Sequence, residues 1–192
     1  MTSIIKVDTI QTSAGGTPTA SSLGIGGVGK IGQVVTKDFT GTESTSTKAS
    51  DGSWTDSSLY ASLTPSSTSS KIMVMCTVNQ GSSDGSNGGH IGRFVQIIGA
   101  TTTPVFIGDS SGSKISTSSG RGNEAQGGYT ILTPTFNFLL SPNTTSSVTV
   151  KYQFAIRGYG SGTAYINRVG TESDSNEFQR TASAITIMEV LA

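Results

Sequence analysis

The stretch Lys71-Ile-Met-Val-Met-Cys-Thr-Val-Asn79 is the clearest strand in the chain and decides the fold class. The turn Pro65-Ser-Ser-Thr-Ser-Ser70 leads into it, and a Gly/Ser/Asn/Asp loop over residues 80–89 follows it. Further strands are predicted over residues 32–39, 59–63, 91–98, 104–107, 129–140, 147–157, 163–169 and 184–191. Many short strands, turn clusters and no helical stretch predict an all-β domain, an antiparallel β-sandwich or jelly-roll-like fold.

The composition of the chain is polar without being charged. Ser, Thr and Gly account for 84 of the 192 residues, whereas charged residues are only 12%. This combination argues against a disordered chain, which is recognised by high net charge, and against a helical protein. Twelve basic and twelve acidic residues give a net charge of zero, so the chain lacks the excess of positive charge that binds phosphates, and nucleic acid is not expected as a partner. No apolar run approaches the roughly 20 residues that cross a bilayer, so membrane insertion is not expected.

The N-terminal stretch Ser3-Ile-Ile-Lys-Val-Asp-Thr-Ile-Gln11 alternates as one short strand. A tract of Ser, Thr, Gly and Ala over residues 12–29 separates it from the rest of the chain and is interpreted as a linker. The sequence thus divides into an attachment segment with its linker, residues 1–29, and a β domain, residues 30–192. The apolar residues of the attachment segment are Ile4, Ile5, Val7 and Ile10. The linker separates them from the β domain, so a neighbouring protein or the other subunits must bury them.

The sequence offers few groups for catalysis or metal binding. Gly24-Ile-Gly-Gly-Val-Gly29 matches a phosphate-loop pattern, but the strand before it and the helix after it are missing, so a flexible hinge is predicted. His90 is the only histidine, lies beside two glycines, and is expected to be an exposed loop side chain. One histidine and one cysteine, Cys76, cannot form a zinc site, and Cys76 is expected in the core. Neither a metal nor a cofactor is predicted.

The acidic residues Glu172, Asp174 and Glu177 are the one carboxylate cluster that a glycosidase could use. They lie in a stretch with Ser and Asn that is typical of a solvated loop, and we expect no aromatic platform near them. Trp54 is the only tryptophan in the chain. The sequence therefore predicts no enzyme.

Several segments resemble tail-fibre-like virion structural proteins of marine bacteriophages. The resemblance begins with residues 3–11 and the Gly/Thr/Ser tract after them, which are similar to that family's N-terminus. It continues in the family's order through Gly29-Lys-Ile-Gly-Gln-Val-Val35, Leu63-Thr-Pro-Ser-Ser-Thr-Ser-Ser-Lys-Ile-Met-Val74, Ser141-Pro-Asn-Thr-Thr145, Tyr165-Ile-Asn-Arg168 and Thr181-Ala-Ser-Ala-Ile-Thr-Ile-Met-Glu-Val190. Together these segments span nearly the whole chain.

The resemblance implies a non-enzymatic component of the phage particle surface, a homotrimer with an N-terminal attachment segment and a C-terminal β domain. The chain has no repetitive shaft, so a short tail fibre or fibre tip fits its length better than a long fibre. Its expected partners are copies of itself, other tail or capsid proteins, and a host surface glycan or protein. A capsid decoration or cement protein with no receptor role is the alternative, and a glycan hydrolase is a third hypothesis.

Two further expectations follow from the residues. The apolar side chains are too few to bury both a thick core and every strand face, which favours a shared threefold interface. Receptor binding is expected in the loops over residues 80–90, 108–128 and 157–162, because sugar hydroxyls pair with planar polar side chains and sugar C–H faces pack on aromatic rings. The candidate receptor-binding residues are Asp84, Asn87, His90, Arg121, Asn123 and Tyr159.

Overall fold

The described residues of the protein form twelve β-strands in three sheets. The structure is a computed structural model that describes residues 29–83, 89–120, 128–157 and 162–192. The predicted anchor and most of its linker, residues 1–28, lie outside these residues. The strands are β1 (Ile31–Phe39), β2 (Glu43–Thr45), β3 (Thr55–Leu63), β4 (Lys71–Thr77), β5 (Gln80–Ser82), β6 (His90–Ile98), β7 (Thr101–Val105), β8 (Ser119–Gly120), β9 (Thr135–Leu140), β10 (Val148–Ile156), β11 (Ala164–Ile166) and β12 (Ser183–Val190).

The topology of the long strands is that of a jelly roll. The first sheet has the order β1-β12-β4-β9 and the second has the order β3-β10-β6-β7, with β8 added on β6. All strand pairs are antiparallel, and the chain crosses between the two sheets at every connection of long strands except the β6–β7 hairpin. The structure confirms the predicted all-β antiparallel sandwich of jelly-roll type.

Inward-facing apolar side chains alternate with outward-facing side chains along the strands, and this alternation explains why these segments form a sandwich. In β4, Ile72, Val74 and Cys76 are buried between the sheets, whereas Met73 and Met75 point outward. The same period of two runs through β3, β9 and β12, so each sheet presents one apolar face to the other.

Aromatic rings fill the centre of the core. Phe94 of β6 packs its ring edge-on against Phe136, at 5.1 Å between centroids, and against Tyr152, at 5.3 Å. All three side chains are buried, and together they join both sheets. The core therefore holds without a disulfide, and Cys76 is a buried free cysteine, as expected from the sequence.

Some strand boundaries differ from the sequence prediction. β3 begins at Thr55, four residues before the predicted strand, because the buried Ser57 hydroxyl donates a hydrogen bond to the Tyr152 carbonyl at 2.6 Å. β9 begins only at Thr135, since residue Leu132 exchanges backbone hydrogen bonds with Gln80 instead. A side-chain hydrogen bond sets where β3 begins, and a backbone contact with Gln80 sets where β9 begins. The alternation of apolar and polar residues in the sequence shows neither of them.

The two ends of the sandwich differ in the length of their connections. The β1–β3, β4–β6, β7–β9 and β10–β12 connections lie at one end, which we call the long-loop end, and β2, β11 and β5 from three of them pair as the third sheet. The opposite, short-turn end holds the β3–β4, β6–β7 and β9–β10 turns. Gly29 lies there and donates its N–H to the Leu191 carbonyl at 2.8 Å. Residues 1–28 therefore join the domain at the end opposite the long connections.

Within the described residues, the structure has no helix that is long and apolar enough to cross a membrane.

Candidate functional site

Most of the residues predicted to bind a receptor or a virion partner lie outside the part of the chain that the structure describes. These are Asp84, Asn87, Arg121, Asn123 and Tyr159 for the receptor and Ile4, Ile5, Val7 and Ile10 for attachment. Their roles stay predictions. His90 alone among the predicted receptor residues is described.

His90 is fully buried, so the expectation of an exposed loop side chain is wrong. It is the first residue of β6, and strand alternation directs its side chain between the sheets. Its ring stacks on Phe154 at 5.5 Å between centroids, and its Nε2 lies 3.1 Å from the Tyr152 hydroxyl. In this position the His90 side chain packs inside the sandwich beneath the long-loop end, and its role in receptor binding stays a prediction.

The Tyr152 hydroxyl is the centre of a buried polar cluster at the long-loop end. The Gln80 side-chain amide donates to it at 2.7 Å, and the Ser119 hydroxyl lies 3.2 Å away. A side chain on Gly92 would collide with this tyrosine, because a Cβ there would lie 1.7 Å from the hydroxyl oxygen. Burial raises the pKa of Tyr152, which keeps the phenol protonated. The cluster ties β5, β6, β8 and β10 together beneath the long connections.

The residues that flank the predicted recognition loops are hydrogen-bonded to one another. Ser83 and Thr163 are joined twice, by the Ser83 N–H to the Thr163 carbonyl and by the Thr163 N–H to the Ser83 hydroxyl, both at 2.9 Å. On the other side, the Arg157 N–H donates to the Gly89 carbonyl at 3.1 Å. Segments 84–88 and 158–161 therefore start and finish at neighbouring points. Both segments thus leave the domain at the long-loop end.

A cavity of about 460 Å³ lies in the β10–β12 connection at the same end. Its segment is fixed to the β7–β9 connection, because the Gly128 carbonyl accepts hydrogen bonds from the N–H groups of Gly170, at 2.7 Å, and Thr171, at 3.0 Å. The volume falls within the roughly 300–1,000 Å³ range of small-ligand sites. The cavity is lined by Glu172, Ser173, Asp174, Ser175, Phe178 and Arg180.

An ion-pair network holds one wall of the cavity in place. The Glu172 carboxylate binds Arg168 Nη1 at 2.7 Å and also binds the guanidinium of Arg180. The Arg168 guanidinium in turn lies 4.3 Å from the centre of the Tyr165 ring of β11. Both oxygens of Glu172 are thus held by arginines, and Asp174 is the exposed carboxylate of the cavity.

Aromatic rings lie beside the acidic cluster, contrary to the expectation from the sequence. Phe178 lines the cavity, and its ring stacks on the exposed ring of Tyr129 at 5.9 Å between centroids. Phe178 follows Glu177 directly in the chain, so the signal was present locally, whereas Tyr129 comes from another connection. The connection combines carboxylate, guanidinium and hydroxyl groups, which accept or donate hydrogen bonds, with an aromatic ring face.

The outer face of the second sheet carries a separate row of polar side chains whose hydrogen-bonding groups pair with one another. Arg93 Nε donates to Gln153 at 2.8 Å, and the Gln153 amide donates to Asp56 at 2.6 Å. Lys151 also binds Asp56 at 2.8 Å, and the Arg93 guanidinium covers the Trp54 ring at 4.4 Å. Because these groups already pair with one another, the row is a weaker candidate for a ligand than the cavity. Among the described residues, no group of three or more His, Cys, Asp or Glu side chains could hold a metal ion.

Comparisons with known proteins give only a distant structural likeness. No family model and no curated protein sequence matches the chain. VP2 of infectious bursal disease virus in a subviral particle aligns with a TM-score of 0.42 and 12% identity over 83% of this chain and 38% of that one. The chain of the T=1 particles derived from that virus gives a TM-score of 0.42, 11% identity and the same 83% coverage of this chain, with 40% of the other. This protein spans about two fifths of the length of those chains. Likeness of this size identifies neither a family nor a function.

Proposed function

We propose that this protein is a virion structural subunit of a bacteriophage, a short tail fibre or fibre tip that binds a host surface glycan. The observation that carries the proposal is that the two ends of the jelly roll differ: one end receives residues 1–28, and the other end carries the cavity. Residues 1–28, which resemble a phage attachment segment, join the domain at the short-turn end. The cavity and the flanks of the predicted recognition loops lie at the long-loop end. Nine-residue strands at about 3.4 Å per residue separate the two ends by roughly 30 Å.

The chemistry of the cavity supports a sugar as the ligand. Asp174, Ser173 and Ser175 offer acceptors and donors for paired hydroxyl hydrogen bonds, and Phe178 offers an apolar ring for a C–H face. Jelly rolls occur among both viral capsid and lectin domains, so the fold is compatible with a structural role and a sugar site in one domain.

Binding fits the described residues better than catalysis. His90 and Cys76 are buried inside the sandwich, away from the cavity, and Glu172 is held by two arginines. The proposed role is therefore adhesion at the particle surface by a homotrimer, with other virion proteins as partners of residues 1–28.

Adsorption of phage particles to host cells tests the proposal. Particles are prepared with the Asp174→Ala/Phe178→Ala protein and with a matched control, Glu177→Ala/Gln179→Ala, which changes the same connection outside the cavity wall. Loss of the ring contact and the carboxylate should weaken adsorption at least tenfold, about 1.4 kcal/mol, while the control adsorbs normally. Titration of purified host polysaccharide with the same proteins should give the same ranking.

Two further arms separate the parts of the proposal. A chain of residues 29–192 should fold with nearly unchanged melting temperature and fail to join particles, because the attachment segment is missing. The Arg121→Ala/Asn123→Ala/Tyr159→Ala protein tests the predicted recognition loops independently of the cavity. Normal adsorption by correctly assembled particles carrying both sets of changes together would contradict receptor binding and favour a capsid decoration or cement role.

A further inference from the structure

The outer face of the first sheet exposes a cluster of apolar side chains. We call it the methionine face, and its apolar members are Ile31, Val34, Met73, Met75, Leu139, Met188 and Val190. Four of the nine large apolar side chains that the described residues expose are in this set, with Val34 57% exposed and Leu139 46% exposed. Contiguous apolar surface of this kind marks an interaction site.

Strand register arranges this face in rows across the sheet. Val34 pairs with Met188, Met188 with Met73, and Met73 with Leu139, so one apolar row crosses all four strands. The neighbouring row is uncharged and consists of Thr36, Thr186, Met75 and Asn137. The outward positions of the four strands carry charge only at the two ends of the face, at Asp38 and Lys71. The centre can therefore meet an identical surface without burying a charge.

We infer that the methionine face is the interface on which three copies of this chain pack around an axis parallel to the strands. This inference rests on the proposed homotrimer and names its contact surface. A trimer of this kind puts all three long-loop ends at one end of the assembly and all three copies of Gly29 at the other. That arrangement presents three cavities to one surface and three attachment segments to the particle.

The width of the sheet fits such a trimer. Four strands at about 4.8 Å give a sheet roughly 19 Å wide, and a triangle with sides of that length has its centre about 5.5 Å from each side. Sheets that pack face to face lie about 10 Å apart, so the side chains of one sheet reach roughly 5 Å. Three methionine faces would thus fill the space around the axis. Methionine side chains suit this position because they adapt to irregular gaps.

The arrangement predicts a specific contact at each corner of the triangle. There, the edge strand β1 of one copy lies beside the edge strand β9 of the next. In a trimer whose three copies point the same way along the axis, equivalent rows of the three sheets lie at the same level. Val34 and Leu139 are the two ends of one row, so Val34 of one copy contacts Leu139 of its neighbour.

Cysteine cross-linking of the full chain tests this contact. The Val34→Cys/Leu139→Cys protein, treated with a short bis-maleimide, should form covalent trimers on a denaturing gel. Each single variant should not, because one thiol per chain has no partner at the corner. Cys76 does not interfere, since it is buried and burial raises the pKa of its thiol. Covalent dimers from a single variant would indicate twofold packing and overturn the inference.

Light scattering at micromolar concentration gives the second measurement. The wild-type chain should have three times its single-chain mass of 19.7 kDa. The Met73→Glu protein should be monomeric while keeping its β-type circular dichroism. The Thr149→Glu protein, changed on the outer face of the second sheet, is the control and should remain a trimer. A wild-type trimer that survives Met73→Glu and does not cross-link overturns the interface but leaves the homotrimer. A wild-type monomer overturns both, and a monomer whose Leu139→Cys thiol is shielded assigns the face to residues 1–28.

Discussion

The carboxylate of Glu189 should make the domain unstable in acid. Glu189 belongs to β12 and is 1% exposed, near the short-turn end where β1 begins. Its oxygens accept hydrogen bonds from the Ser66 N–H at 2.5 Å, the Ser66 hydroxyl at 2.6 Å and the Gln33 side-chain amide at 2.8 Å. Burial alone would raise the pKa of this carboxyl, but the hydrogen bonds outweigh burial and lower the pKa from 4.5 to about 2.

This pKa shift sets both the size and the direction of the effect. A fall from 4.5 to about 2 sets an upper bound of about 3 kcal/mol on the contribution of this carboxylate to the unfolding free energy, at about 1.4 kcal/mol per pKa unit, and screening by solvent near the end of the sandwich reduces it. Because the folded state has the lower pKa, this stability is fully present above about pH 5. It is lost as the pH falls through 4.5 toward 2, where the folded protein also takes up the proton.

Denaturant unfolding of the wild type and of Glu189→Gln measures the effect, with protein concentration held constant. Glutamine keeps the shape but directs an amide N–H₂ toward a donor, so the variant should lose about 2–3 kcal/mol at pH 7. The difference between the two proteins should shrink steadily as the pH falls from 5 to 2.5. The stability of the variant is subtracted from that of the wild type because the pKa of Asp56 is also lowered, which makes both proteins sensitive to acid. Glu177→Gln, at an exposed site, should change stability by less than about 0.5 kcal/mol. A Glu189→Gln difference that is the same at pH 7 and pH 2.5 would refute the assignment.

Two other side-chain environments make predictions of the same kind. Gly92→Ala should destabilise the domain by about 3 kcal/mol or more, because its Cβ would displace the buried Tyr152 ring and break the hydrogen bonds of that hydroxyl. Thermal unfolding measures this, and Gly120→Ala is the control, since the nearest atom to a Cβ there is 3.9 Å away; equal melting temperatures for the two variants would contradict the reasoning. The Cys76 thiol should react with a maleimide only as fast as the domain unfolds, and rapid labelling of the native protein at pH 7 would show that the core is open.

The strands of the sandwich could be predicted because each one has an apolar side that repeats every second residue. The β4 strand shows this most clearly, with Ile72, Val74 and Cys76 inward. Prediction was weaker where polar side chains are buried by hydrogen bonds. Ser57 continues the inward row of β3, and Glu189 continues that of β12, although both side chains are polar. Their burial depends on partners in other strands and turns, which a local pattern does not contain.

The site was less predictable than the fold because it is assembled from separate connections. Phe178 and Tyr129 come together only because the β10–β12 connection bonds to Gly128. His90 is buried because Gly92, two residues further along β6, leaves room for the Tyr152 hydroxyl beside it. In both cases the sequence supplies the right residue types, but their proximity follows from the jelly-roll topology and not from their spacing along the chain.

The distribution of apolar side chains gives a stronger reason for association than their scarcity does. The sequence suggested a core too thin for a monomer, but the described sandwich buries large side chains such as Phe94, Tyr152 and Phe154 completely. A chain with only 33% hydrophobic residues nevertheless places Val34 and Leu139 in solvent on one sheet face. Moving such side chains to positions facing water costs about 25 cal/mol per Å² unless a partner covers them. Folding and association therefore use different apolar residues, and a charge at Met73 should separate the two processes.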